Sequence, residues 1–242
     1  MLFRSIEANE DEAGALFKFL DVDGNGRIGL DEFLPWYQEA ATVAKEQAAA
    51  FQSLLLSRRT VHSFLATTEI DDSVLYRAIQ CAIAAPNRRG SEPWRFIKLG
   101  KETVAKVAQL KASRMKQGLT DNHDENHDKD TTVQRWTQIP GWCVVTYPRH
   151  PAGNNWEQRE DFKSVCCAIQ NFMLSMWSEG IGSKWTDGEI QRTREFAELC
   201  GVDYNKEKVA GVIWYGFATT GLGGAQPKKR TKGVNDVLEI RP

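Results

Sequence analysis

The chain of 242 residues has no apolar run long enough to span a bilayer. Its first residues are charged early (Arg4, Glu7, Glu10, Asp11, Glu12) and contain no apolar core of a signal peptide. No membrane span is therefore expected. The protein is expected to be intracellular, in the cytoplasm or an organelle lumen, and not secreted. Neither charge sign is in excess: the net charge is −1, so there is no electrostatic reason to expect a nucleic-acid partner. The 5 cysteines, Cys81, Cys143, Cys166, Cys167 and Cys200, are odd in number and fit no zinc or redox spacing. They read as reduced thiols, with the adjacent pair Cys166 and Cys167 expected to be buried in an apolar helix. No internal repeat is visible.

What is present supports a packed core, with 41% apolar and 26% charged residues. The length suits one large domain, or one domain with a small appendage. The most informative stretch is Asp21-Val22-Asp23-Gly24-Asn25-Gly26-Arg27-Ile28-Gly29-Leu30-Asp31-Glu32. Calcium takes several oxygen ligands, and this run offers them at alternate positions. Asp21, Asp23 and Asn25 supply side-chain oxygens, Arg27 its backbone carbonyl, and Glu32 both carboxylate oxygens. Gly26 permits the sharp turn, Gly29 leaves room for a water, and Ile28 points away from the ion. Leu16, Phe17 and Leu20 precede the loop on one helical face, and Phe33, Trp36 and Tyr37 follow it on another. The pattern is that of a calcium-binding EF-hand. Ile28 lies on a short strand that normally pairs with a second loop. Its expected mate is a truncated upstream segment, the same loop of a second chain, or the flank of the larger domain.

Residues 1–38 are expected to form this EF-hand module, 39–56 a stiff connecting helix without Pro or Gly, and 57–242 the larger domain. Within the last, helices are expected at 71–85, 101–116, 161–179 and 188–200. Strands are expected at 94–99, 141–147, 181–185 and 208–217. Residues 117–131 are polar throughout and read as a loop. His123 and His127 there have metal-ligand spacing, but a segment with no apolar face is expected to be disordered. The mixture of elements argues for an α+β or α/β domain.

Three segments of the larger domain carry its chemistry: Ser57-Arg58-Arg59-Thr60-Val61-His62-Ser63-Phe64, Ala84-Ala85-Pro86-Asn87-Arg88-Arg89-Gly90-Ser91-Glu92-Pro93-Trp94-Arg95-Phe96, and Gly180-Ile181-Gly182-Ser183-Lys184-Trp185-Thr186-Asp187-Gly188. A basic tail, Lys228-Lys229-Arg230-Thr231-Lys232, follows the last strand. Adjacent arginines beside a hydroxyl suit a phosphate, because the guanidinium fork matches an anion. Solvated surface charge is the other reading of the same residues. Gly221-Leu222-Gly223-Gly224 follows a strand, but no helical pattern comes after it, so it is no dinucleotide fingerprint.

Taken together and in order, these segments and the Trp156-Glu157 helix entry resemble the nitroreductase family of FMN-dependent oxidoreductases, from about residue 49 to the C-terminus. The resemblance implies an α+β, nitroreductase-like three-layer fold with a central mixed sheet flanked by helices, here preceded by the all-α EF-hand. It also implies a homodimer with one FMN at each end of the interface. Arg58, Arg59 and Thr60 would face the FMN phosphate and ribityl chain, and Arg230 or Lys232 would complete the phosphate site. Asn87 and Arg88 would reach in from the other subunit. Trp185, Thr186, Asp187 and Gly188 would pass along the isoalloxazine edge and offer a backbone N–H near flavin N5. His62 stands where many relatives carry Arg or Lys near the pyrimidine edge, and Glu92 where relatives often carry Gln.

The implied activity is NAD(P)H oxidation by a ping-pong cycle. The electron acceptor would be a small molecule such as a nitroaromatic or quinone, and no side chain acts as a nucleophile. The EF-hand adds an expectation that calcium regulates this activity. Two alternatives remain open. One is a calcium-responsive binding protein with an inactive flavin fold, the other a flavin-dependent reductive dehalogenase.

Overall fold

The structure, a computed structural model, describes residues 10–117, 129–152, 154–224 and 230–241. By internal contacts the chain divides into two compact units, 1–57 and 58–242. His123 and His127, with most of the 117–131 segment, lie outside the described residues.

The first unit is a helix, α1 (Glu10–Leu20), a loop, and a long helix, α2 (Leu30–Ser57). Helix α2 runs without interruption through positions 38 and 39, so the return helix and the connecting helix of the sequence reading are one element. Asp31 and Glu32 sit in its first turn, where the helix dipole favours negative charge. Leu20 is buried, whereas no residue of α2 is.

The second unit is built on a four-stranded sheet: β1 (Arg95–Lys98), β2 (Gly141–Pro148), β3 (Gly182–Thr186) and β4 (Glu207–Gly216), in the spatial order β1-β2-β4-β3. Every neighbouring pair is antiparallel, which corrects the expected mixed sheet. The reason is topological. β2 and β3 run the same way and are joined by a helix, the arrangement that usually makes parallel neighbours. Here β4 inserts between them and pairs antiparallel with each.

Helices cover both faces. On one side α3 (Asp72–Ile83) and α6 (Asn155–Ser178) pack on the sheet. α6 buries Val165, Ala168, Ile169, Phe172, Met173 and Met176, a stripe at helical spacing. α3 answers with Leu75 and with Ala78 and Ala82, whose small side chains allow close approach. Asp71 caps α3 by accepting the Ser73 N–H at 2.7 Å. On the other face lie α4 (Lys101–Lys116), α5 (Lys129–Thr137) and α7 (Arg194–Leu199). There Trp136, Trp142 and Trp214 form a ring cluster with centroids 5.1–5.5 Å apart.

The sequence reading missed α5. It began α6 too late and took 188–200 as a single helix. A 3₁₀ turn (Ile190–Arg192) and the Thr193 cap divide that last segment. The cysteine expectation is also corrected. Cys143 and Cys200 are the buried thiols, and burial pushes each up to about 12. Cys167 is exposed and Cys166 half-buried, because the α6 stripe turns Val165 and Ala168 inward instead.

Candidate functional site

In the second unit, the two glycines of Gly180-Ile181-Gly182 have distinct jobs. Gly180 takes a left-handed conformation (φ +82°) just beyond α6, where other residues are strained. Gly182 lies against Val61, and a Cβ there would fall 2.5 Å from the Val61 side chain. That close approach lets segment 58–61 run beside β3. Thr60 bridges Ser183 in parallel, and the Val61 N–H donates to the Ser183 carbonyl at 3.1 Å. The glycine motif thus fixes where Arg58, Arg59 and Thr60 sit.

Arg58 is half-buried, and its guanidinium has no ion-pair partner among the described residues. Burial lowers its pKa most, followed by the like charges of Arg59 and Arg230. Arg230, far off in sequence, is near enough for its charge to act on Arg58. Arg59 folds back to donate to the Arg58 carbonyl at 2.8 Å. Next to them the Ser183 hydroxyl is buried (1% exposed) with no hydrogen-bond partner. A concentrated positive charge beside the exposed Thr60 hydroxyl is chemically suited to a phosphorylated ligand. His62 and Lys232 are exposed.

At the far end of β3, Trp185 turns its indole to the sheet and donates to the Ala210 carbonyl at 3.2 Å. The Asp187 carboxylate is held by Arg192 at 2.8 Å. The Gly188 N–H, one of those in the segment expected to offer an N–H near flavin N5, donates to Oε1 of Gln191 at 2.7 Å. Gln191 is buried, and sequence reasoning passed over it. A Gln three residues after a Gly at a strand end was the available signal.

Asn87 and Arg88 lie on a strained turn in which Arg89 and Glu92 have positive φ (53° and 42°). The Asn87 side chain closes this turn by accepting the Glu92 N–H at 3.1 Å. Arg88 stacks 3.9 Å above the Trp156 ring at the start of α6. Within one chain the structure lays Arg58, Arg59 and Thr60 beside β3, with Arg230 within electrostatic reach of Arg58. No described contact joins Asn87 or Arg88 to them.

In the first unit, loop 21–29 winds its polar side chains inward. Gly24 and Gly26 have positive φ (71° and 77°). The Asp21 carboxylate accepts the N–H groups of Asn25 (3.0 Å) and Gly26 (2.9 Å), and Asn25 Oδ1 accepts that of Arg27 (2.8 Å). Glu32 accepts the N–H groups of Val22 (2.7 Å) and Gly29 (2.9 Å). Asp21, Asp23 and Glu32 each bring an oxygen within 4.8 Å of the others.

Comparison with known proteins places the second unit. A profile described as the nitroreductase family matches residues 55–217. YfhC of Bacillus subtilis (strain 168), provisionally named an NAD(P)H nitroreductase, is 29% identical over 187 residues, which cover 76% of this chain and 91% of YfhC. Among solved structures, a nitroreductase-like family protein from Bacillus cereus superposes with a TM-score of 0.64 at 22% identity, over 78% of this chain and 95% of that one. The FMN-dependent nitroreductase NfnB from Mycobacterium smegmatis, solved with NADPH, gives 0.63 at 16% identity, over 81% and 100%. At these identities the structures show the shared fold.

Proposed function

The chain belongs to the nitroreductase family, and from that premise we propose that it is an FMN-dependent oxidoreductase passing electrons from NAD(P)H to a small-molecule acceptor. The observation that carries the reading is the electrostatic cluster of Arg58, Arg59 and Arg230 at the edge of β3. The residues fit the cofactor. Arg58 and Arg230 have no ion-pair partner among the described residues, and a phosphate would supply the missing counter-charge. The exposed Thr60 hydroxyl stands beside them for the ribityl chain. FMN, when bound, supplies the two-electron chemistry.

The chain's own residues supply binding and orientation. Arg58, Arg59 and Arg230 hold the phosphate, with Lys232 as the alternative to Arg230. Thr186, Asp187 and Gly188 border the ring, and Trp185 stiffens their turn through its bond to Ala210. For the Gly188 N–H to serve the flavin, Gln191 Oε1 must give it up. His62 lies on the segment that enters the site, and Asn87 and Arg88 complete the pocket from a second subunit of a homodimer. The test is a titration of purified protein with FMN, followed by anaerobic NADH and NADPH. One FMN per chain, bleached by reductant, supports the reading. A chain that binds no FMN overturns it in favour of an inactive fold.

For residues 21–32 the donor set favours a second ligand. We propose that Asp21, Asp23, Asn25, the Arg27 carbonyl and Glu32 bind calcium as an EF-hand loop. Support comes from the close approach of the Asp21, Asp23 and Glu32 carboxylates, whose mutual repulsion a cation would relieve. Calcium then modulates the reductase through α2, which runs directly into Arg58 in sequence. Equal NAD(P)H oxidation rates with calcium and with chelator, at limiting and saturating substrate, would overturn that regulation.

A further inference from the structure

Past the end of β3, a cavity of about 380 Å³ opens beside the lower half of β4, a size suited to a small organic molecule. Of the residues assigned to the flavin, only Asp187 reaches it. Tyr147 and Lys208 stand directly opposite each other in the β2–β4 ladder, so both side chains leave the same face of the sheet. Both line the cavity, and neither the Tyr147 hydroxyl nor the Lys208 ammonium has a partner among the described residues.

The acidic groups of the wall are already engaged. Asp187 is paired with Arg192 at 2.8 Å. Glu207 is paired with Arg95 at 2.6 Å and accepts the Thr146 hydroxyl at 2.7 Å. Arg149 meets no carboxylate among the described residues. It donates to the Tyr204 carbonyl at 2.9 Å and lies 4.7 Å over the Tyr204 ring. Two cations, Arg149 and Lys208, are therefore left uncompensated. Burial pushes the Tyr147 phenol above its ordinary range, so at neutral pH it stays protonated and donates. Apart from Gln191, whose Oε1 is taken by the Gly188 N–H, the remaining wall is apolar. The Phe162 ring lies 5.4 Å from that of Tyr147, with Val209 and Ala210 nearby.

We propose that this cavity binds a small aromatic carboxylate: the carboxylate is held by Lys208, Tyr147 and the charge of Arg149, and the ring lies against Phe162. Given the redox reading on which this last step rests, the electron acceptor belongs to that chemical class. The test is calorimetric titration of the purified protein with 4-nitrobenzoate, benzoate and nitrobenzene. Both carboxylates should bind at least about tenfold more tightly than nitrobenzene, the worth of one charge-assisted hydrogen bond. Lys208→Gln should remove that preference, Lys208→Arg should keep most of it, and Tyr147→Phe should weaken it. Equal affinity for charged and neutral ligands, or a preference untouched by Lys208→Gln and Tyr147→Phe, overturns the site. Lys208-dependent binding of 4-nitrobenzoate, without its reduction by NAD(P)H in FMN-loaded protein, supports the anion site and overturns the acceptor assignment. Reduction without Lys208 dependence overturns the inference and leaves the redox reading standing.

Discussion

The acidic loop at 21–32 and the basic cluster around Arg58 both concentrate one sign of charge, by opposite means. The loop does it locally. Twelve consecutive residues carry their own turn glycines and hydrogen bonds, and the geometry follows from the order of residue types. The basic cluster is made by tertiary structure. Arg58 and Arg59 come from the segment laid against β3, and Arg230 from beyond β4. The first arrangement needs almost no core, and its helices bury little. The second depends on a sheet covered on both faces. A local site should therefore tolerate damage to the core, and a distributed one should not.

The sharpest way to break this comparison is to damage the core. Phe172 is fully buried between the sheet and α3, and Phe172→Ala should cost about 3–5 kcal/mol. Thermal unfolding should show FMN binding lost with the fold, whereas calcium binding at loop 21–32 survives. Next in size is Arg58→Ala with Arg59→Ala. Two charge-assisted hydrogen bonds at about 1.5 kcal/mol each predict roughly a 100-fold loss of FMN affinity by fluorescence titration, with calcium affinity unchanged. The mirror experiment, Glu32→Gln, should weaken calcium binding by calorimetry and leave FMN affinity as it was.

A smaller effect is expected at Gly182, where Gly182→Ala presses on Val61. Overpacking of about 1–3 kcal/mol should lower FMN affinity more than overall stability, because it displaces the segment carrying the arginines. The smallest effect sharpens the electrostatics of the core unit. Asp71 has its pKa lowered chiefly by its hydrogen bond with Ser73. A carboxylate depressed by folding contributes stability above its unfolded pKa and loses it as pH falls through the folded value. Asp71→Ala should therefore lower the melting temperature at pH 7, and the difference from the parent should vanish in strong acid.

The same contrast explains what was legible in the sequence. Loop 21–32 could be read position by position because its turns and the placing of its carboxylates follow from local spacing. Arg58, Arg59 and Thr60 stood out as a motif, and the family resemblance named Arg230 or Lys232 as their companion, but local spacing alone does not link Arg230 to them. Helix α4 was readable to its ends from its periodicity, whereas α5 begins in a polar stretch and escaped notice. Strand directions could not be read, because nothing in the β2–α6–β3 sequence says that β4 will insert between the strands. Tyr147 and Lys208 were invisible, and Gln191 was passed over, for a related reason. Each becomes interesting only through what it faces: the Gly188 N–H in one case, and a cross-strand partner over a cavity in the others.

The central claim, that the cations beside β3 hold a flavin phosphate, is tested most directly by equilibrium titration of the parent and of the Arg58→Ala, Arg59→Ala double variant with FMN and with riboflavin. The account predicts that the parent binds FMN much more tightly than riboflavin, and that the double variant binds both weakly and alike. Equal binding of FMN and riboflavin by the parent, or an FMN preference that persists without both arginines, would contradict it.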